Sequence, residues 1–217
     1  MPEINLMHRY PRTQRALDPS IKVTQEQMRI ARQFGKDFFD GDRMYGYGGY
    51  SYHPRFWKDV VQDFIAHYKL TPASAILDIG CGKGFMLYDF VQALPGVRVR
   101  GIDISHYAIE NAKPEVKPFL SVGNAKDLSA FADKEFDLVA SITTVHNLPS
   151  KECKQALREI ERVGKKAFIT VDAWSTEEER VRMHAWNKTA LTYMHVSEWQ
   201  KLFDEAGYKG DYYWFIP

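Results

Sequence analysis

From residue 75 onward, short solid runs of apolar residues alternate with stretches in which apolar residues recur every three or four positions. The solid runs are AILDI (75–79), VRVRGID (97–103), PFLSV (118–122), FDLVASI (136–142), AFITVD (167–172) and YYWF (212–215), and they read as strands. Helical spacing fills the gaps: about 84–93, Ser105 to about 112, Ser150 to Gly164, Ser175 with Glu178 to about 188, and Ser197 with Gln200 to Gly207. Strand alternating with helix predicts a parallel sheet covered on both faces, and right-handed crossovers make it doubly wound. The expected fold is therefore α/β, with a mostly parallel sheet of six or seven strands.

Upstream the pattern predicts two helices. Thr24 and Gln27 form a capping-box pair, and Met28, Ala31, Phe34 and Phe38 share one face of a helix that ends near Gly41. Pro54 suits the first turn of a second helix, whose apolar face is Trp57, Val60, Val61, Phe64, Ile65 and Tyr68. Between the two lies MYGYGGYSYHP (44–54), with four tyrosines and three glycines. Pro2, Pro11 and Pro19 predict an irregular start. Residues 1–70 thus read as helices with a Tyr/Gly-rich lid, and residues 71–217 as the sheet domain, the two forming one structural unit.

Composition narrows the function classes. With 29 basic and 28 acidic residues the net charge is +1, which gives no electrostatic reason to expect nucleic acid or an acidic membrane as partner. Two cysteines make no disulfide framework, no run approaches a bilayer span, and the first residues lack a secretory apolar region; a cytoplasmic location is the expectation. Oligomeric state is not legible.

ILDIGCGKG (76–84) concentrates the chemistry. Asp78 closes to a strand end and Gly80, Gly82 and Gly84 follow at a spacing of two. Such glycines admit positive φ and let a ligand lie on bare backbone at a helix N-terminus. A dinucleotide fingerprint needs its third glycine at 85, which is Phe85, and a P-loop needs Ser or Thr after Lys83, where Gly84 stands. What remains is a turn for a ligand without phosphate. Asp103 ends the second strand, where a carboxylate can accept two ribose hydroxyls.

Together, D-x-G-x-G-x-G and the acidic second-strand end resemble the class I (Rossmann-like) S-adenosylmethionine-dependent methyltransferases over roughly residues 71–217. The resemblance implies S-adenosyl-L-methionine as cofactor. It assigns the ribose to Asp103, adenine packing to Ile104, and the ammonium side to Asp78 with the turn residues Gly80, Cys81 and Gly82. The family's Gly-Asp-Ala after strand three is here Gly123, Asn124 and Ala125, so Asn124 and Ala125 are expected at the adenine, with Asp127 as an alternative acceptor. Ser141 and Ile142 would pass beneath the cofactor, and His146 follows where a general base would face the acceptor. The absence of Asn-Pro-Pro-Tyr after strand four, of a metal-binding Asp at that strand's end and of zinc spacing disfavours other acceptor chemistries.

The second helix leads straight into the first strand, so it runs antiparallel to it and carries the tyrosine loop to the crevice. Tyr45 is expected at the cofactor, Tyr50 and Tyr52 at the reaction, and Tyr47, His53 and Arg55 beside them. Trp174, His184, Trp186, Tyr193 and His195 would form the facing wall. The expected reaction is methyl transfer to an O or N atom of a small polar metabolite. The alternatives are a protein or peptide methyltransferase, and an S-adenosylmethionine-binding protein that does not methylate.

Overall fold

The computed structural model describes residues 3–11 and 22–216; Pro2 and Pro19 lie outside the described residues. Short helices α1 (Gln25–Ala31) and α2 (Lys36–Asp40) precede α3 (Pro54–Tyr68). Then follow β1 (Ala75–Ile79), α4 (Phe85–Ala93), β2 (Arg98–Asp103), α5 (His106–Glu110), β3 (Leu120–Val122), β4 (Leu138–Ile142) and α6 (Ser150–Val163). The chain closes with β5 (Ala167–Trp174), α7 (Glu177–Trp186), β6 (Met194–His195), α8 (Val196–Ala206) and β7 (Asp211–Phe215). The strand order is β3-β2-β1-β4-β5, with β7 beside Phe168–Asp172 of β5 and β6 beside its last two residues.

The sheet has seven strands, and every strand pairing among the described residues is parallel, including β7 on β5. β6 was not expected, because two residues are too short to display a period. The chain runs outward through β1, β2 and β3, then returns to place β4 on the other side of β1. That reversal opens a crevice at the carboxyl ends of β1 and β4, the usual ligand position in open α/β sheets.

Burial on both faces explains the solid apolar runs. Leu77, Ile79, Val139, Ile169 and Val171 pack with Leu157 and Ile160 of α6 and Trp199 and Phe203 of α8. The opposite residues, Ile76, Leu138, Ala140 and Phe168, pack with Val60, Val61 and Phe64 of α3 and with Leu87 and Phe90 of α4. Those three α3 side chains have no exposed area, and each contributes roughly 1.5–3 kcal/mol by leaving water. α3 is thus part of the sheet's own cover. Residues 3–11 belong to it too: Leu6 and Met7 are buried, Tyr10 packs on Trp57 at 5.0 Å between ring centres, and Ile4 N–H donates to the Tyr212 carbonyl of β7 at 2.9 Å.

The single helix expected over 24–41 is two. Thr24 and Gln27 cap α1 reciprocally, but the chain leaves the helix at 32–35, where Phe34 takes φ 48°. Gly35 then starts α2. Other caps shift by one or two residues: Thr176 pairs with Glu179 and His195 with Glu198, and Pro149 rather than Ser150 precedes α6.

Candidate functional site

The turn after β1 is built from left-handed glycines, with φ of 81° at Gly80, 54° at Gly82 and 77° at Gly84. A Cβ on Gly80 would collide with the Thr144 side chain. Gly80 and Cys81 donate their N–H groups to the Ile102 carbonyl at 2.7 and 3.1 Å, which locks the turn to β2. Asp103 is held between turn and helix: Oδ2 accepts from Gly82 N–H and Oδ1 from Ser105 N–H, both at 2.8 Å. Burial pushes its carboxyl above the ordinary value, while the two N–H donors oppose that shift. Asp78, 4% exposed, has no hydrogen-bond partner for its carboxylate among the described residues. Burial, and then the neighbouring Asp103, push it up to about 8. A buried carboxyl in that state is matched to a cationic ligand group that would draw out its charge.

A cavity of about 130 Å³ opens at this point. Its floor is Ile79, Gly80, Gly82, Ile102, Asp103, Ile104, Gly123, Asn124, Ala125 and Ile142, all at or just beyond the carboxyl ends of β1 to β4. Ile104, an apolar side chain on the wall, is 53% exposed. Asp127 is turned to Ser129 N–H instead of the cavity, whereas Asn124 lines it. Beyond β4, Thr143 takes φ 48°, an unusual conformation for a β-branched residue. The bend brings Thr144, Asn147 and Leu148 into the wall.

The roof is aromatic: Phe34, Phe38, Phe39, Tyr47 and Tyr50. The Tyr50 ring stacks on Phe85 at 4.9 Å and lies against the bare face of Gly82. Asp40 fastens this roof down. Its Oδ2 accepts from Lys83 Nζ at 2.6 Å and Tyr107 Oη at 2.7 Å, and its Oδ1 from Tyr50 N–H at 2.9 Å. Burial alone would raise the Asp40 carboxyl; these donors outweigh it and hold the group below its ordinary value. On the far side Arg32 donates to the Ala190 carbonyl and Lys188 to the Arg43 carbonyl.

Of the residues expected from sequence, Gly80, Gly82, Asp103, Ile104, Asn124, Ala125 and Tyr50 come together on the cavity, while Asp78 is buried in β1 and is not on its wall. Others do not. His146 is 2% exposed and off the cavity wall; its Nδ1 accepts from Asp172 N–H at 2.9 Å, and its carbonyl accepts from Leu191 and Thr192 N–H. Burial pushes the imidazole down to about 3. That is a histidine tying β5 to the 187–192 segment, in contrast to the expected general base. Tyr52 is turned away, donating its hydroxyl to Asp89 at 2.7 Å. Tyr45 lies off the wall, Cys81 is buried behind the turn against Gly101, and the Ser141 hydroxyl is sealed in β4 with no partner among the described residues. Arg55 stacks on Phe56, and Trp174, His184 and Tyr193 cluster with one another. His195 caps α8, while Trp186 packs on Phe215.

Phe34, Phe39, Asp40, Lys83, Tyr107 and Thr144 were not foreseen. The helical spacing of Phe34 and Phe38 is visible in the sequence, but it does not say what that face meets. Among the described residues no three His, Cys, Asp or Glu side chains are grouped to hold a metal, and no helix is long and apolar enough to cross a membrane.

Known proteins agree with this geometry. Residues 77–171 match the family model described as a methyltransferase domain. A malonyl-[acyl-carrier protein] O-methyltransferase of Legionella pneumophila is 29% identical over 64% of this chain and 49% of its own length, so the chain spans about half of that curated relative. In the complex between the Haloferax volcanii Trm112 methyltransferase activator and its methyltransferase partner, one chain shares the fold with TM-score 0.56 and 24% identity, covering 68% of this chain and 66% of that one. The YcgJ protein of Bacillus subtilis does so with TM-score 0.53 and 23% identity, over 66% and 65% of the two chains. With a parallel sheet reversing at β1, a bare-glycine turn flanked by two carboxylates, and a methyltransferase-domain match across that same turn, residues 77–171 carry a methyltransferase domain and the chain has the class I, Rossmann-like methyltransferase fold.

Proposed function

We propose that the protein transfers a methyl group to an O or N atom of a small polar metabolite. The observation that carries this reading is the roof: the crevice at the glycine turn is covered by Phe39, Tyr47 and Tyr50 and fastened on two sides. A covered site suits a compact acceptor better than an extended polypeptide. The residues fit the cofactor. Asp103 would accept the ribose hydroxyls with the lone pairs its two N–H donors leave free, Ile104 and Asn124 would meet the adenine, and Asp78 would balance the ammonium. The cofactor supplies an already activated methyl group. The chain's own task is then to align the acceptor and exclude water. Asp103 is the one carboxylate on the described cavity wall, and no imidazole lies there. Burial pushes the Tyr50 hydroxyl well above its ordinary value, so it is a hydrogen-bond donor and not a ready base. Alignment therefore carries more of the reaction than proton removal. In the same division of labour, Phe34 to Tyr50 supply the roof and the sheet domain over 71–217 the cofactor floor.

The malonyl relative's name gives a second acceptor to test. No Lys or Arg lies on the described cavity wall, and Lys83 is already taken by Asp40, so the wall has no cation to pair with a carboxylate. That favours an acceptor without an anionic reacting end. Calorimetric titration with S-adenosylmethionine and S-adenosylhomocysteine, followed by an acceptor screen scored by labelled methyl incorporation, tests the reading. Malonyl-acyl-carrier protein and a peptide pool belong in the screen, and labelling of either in preference to small molecules would overturn the acceptor class. Asp103→Ala is expected to weaken cofactor binding by roughly 1–3 kcal/mol; an unchanged calorimetric affinity would remove Asp103 from the ribose.

A further inference from the structure

Asp40 is the point at which the roof meets the floor. It sits at the end of α2, on the segment that carries Phe38 and Phe39 to the cavity. The groups that converge on its carboxylate come from three other places. Lys83 lies inside the glycine turn, Tyr107 is in α5 just after Asp103, and Tyr50 N–H belongs to the tyrosine loop. A second tie runs alongside, from the Ser105 hydroxyl to the Phe34 carbonyl. Lys83 is 7% exposed, and Asp40 is its one ion-pair partner among the described residues. Removing the carboxylate would leave a buried ammonium uncompensated, so the floor itself favours the closed roof. The two floor elements joined to Asp40 are the same two that flank the proposed cofactor groups at Gly82 and Asp103.

We propose that Asp40 is a positioning residue: through Lys83 and Tyr107 it seats the aromatic roof on the glycine turn and thereby sets how long the bound cofactor stays. This rests on the cofactor reading above, and touches the reaction only through Tyr50 and Phe39. Lifting the roof from the floor means breaking the Asp40–Lys83 ion pair, the Tyr107 hydrogen bond to Asp40 and the Ser105 tie to Phe34, while the Tyr50 N–H bond stays within the roof. Hinges are available at each end of the moving segment, at Phe34–Gly35 and at Gly48–Gly49. Between those hinges the floor-side ties converge on one carboxylate, while Lys188 holds the Arg43 carbonyl on the far side.

The test uses the full chain with Asp40→Asn, Lys83→Met, the double variant, and Tyr107→Phe as the mildest change. Without any cofactor, tryptic cleavage after Arg43, followed by mass spectrometry, is expected to speed up about tenfold or more in each charge variant, the scale of one charge-assisted hydrogen bond. In stopped flow, dissociation of S-adenosylhomocysteine is expected to accelerate by a similar factor, with the association rate unchanged or raised. The double variant should match the single ones, because both remove the same clasp. Additive effects, or unchanged cleavage and dissociation rates despite a lowered melting temperature, would show a merely structural contact and overturn the proposal. If a charge variant does not fold, Tyr107→Phe decides, with a smaller rise in both rates expected and no rise overturning it. If the wild-type chain binds no S-adenosylhomocysteine, the cofactor reading fails, and the cleavage rates alone decide whether Asp40 holds the roof.

Discussion

Asp78→Asn is expected to stabilise the ligand-free protein at neutral pH while weakening S-adenosylmethionine binding. The Asp78 carboxyl is raised to about 8 by burial and by Asp103, against an ordinary value of 3.8. In the pH range between those values the folded state holds a proton that the unfolded state has released. Stability from this group is therefore complete below pH 3.8, falls as pH rises, and stays low above about 8. The amide carries no charge and removes that dependence. The gain should be on the order of a few kcal/mol at pH 8, seen as a melting temperature higher by roughly 5–10 °C for a chain of this size. The cost falls on the cofactor, whose ammonium loses a carboxylate, for a loss of roughly 10- to 100-fold in affinity. Wild-type binding at pH 6.5 should release close to one proton as Asp78 ionises, measured by calorimetry in buffers of different ionisation enthalpy. Equal melting curves for both proteins, or binding without proton release, would refute this assignment.

His146→Ala is expected to cost roughly 2–4 kcal/mol of stability, because it leaves the buried Asp172 N–H without an acceptor and opens a hole beside β5. His146→Asn can return an acceptor near the Nδ1 position and should recover about half of the loss. The pH dependence has the opposite sign to that of Asp78. The imidazole is held down to about 3 in the fold, against 6.5 ordinarily. Its contribution is complete above pH 6.5 and is lost as pH falls toward 3, where the unfolded chain takes up the proton first. Chemical denaturation at pH 5 and pH 7 should show this slope in the wild type and not in His146→Ala. A fully stable His146→Ala protein whose turnover is lower by about 100-fold would instead restore the general-base reading.

Sequence and structure agree where backbone geometry demands a residue type. The glycines at 80, 82 and 84 are needed because the turn is left-handed, and Asp103 ends its strand holding the N–H groups of Gly82 and Ser105. Both requirements act over a few residues, so a short motif displays them. Asp40 was hidden for the opposite reason. Its partners lie 43 and 67 residues away, and no local spacing records that meeting. His146 was legible as a residue of interest, but its direction was not. Thr143 turns the chain at the end of β4, and the imidazole then points toward Asp172 rather than the cavity. Of the tyrosine loop, Tyr47 and Tyr50 line the cavity, while Tyr52 is drawn off by Asp89.

The hydrogen bond from Ile4 to Tyr212 has a practical side. β7 is the outermost long strand on its flank, and its DYYWF run has the aromatic, β-prone character that recruits foreign strands. Residues 3 and 4 occupy part of that rim and blunt it as a template for self-association. Loss of this contact would uncover the rim, so the protein's tendency to self-associate is tied to a segment far from the glycine turn.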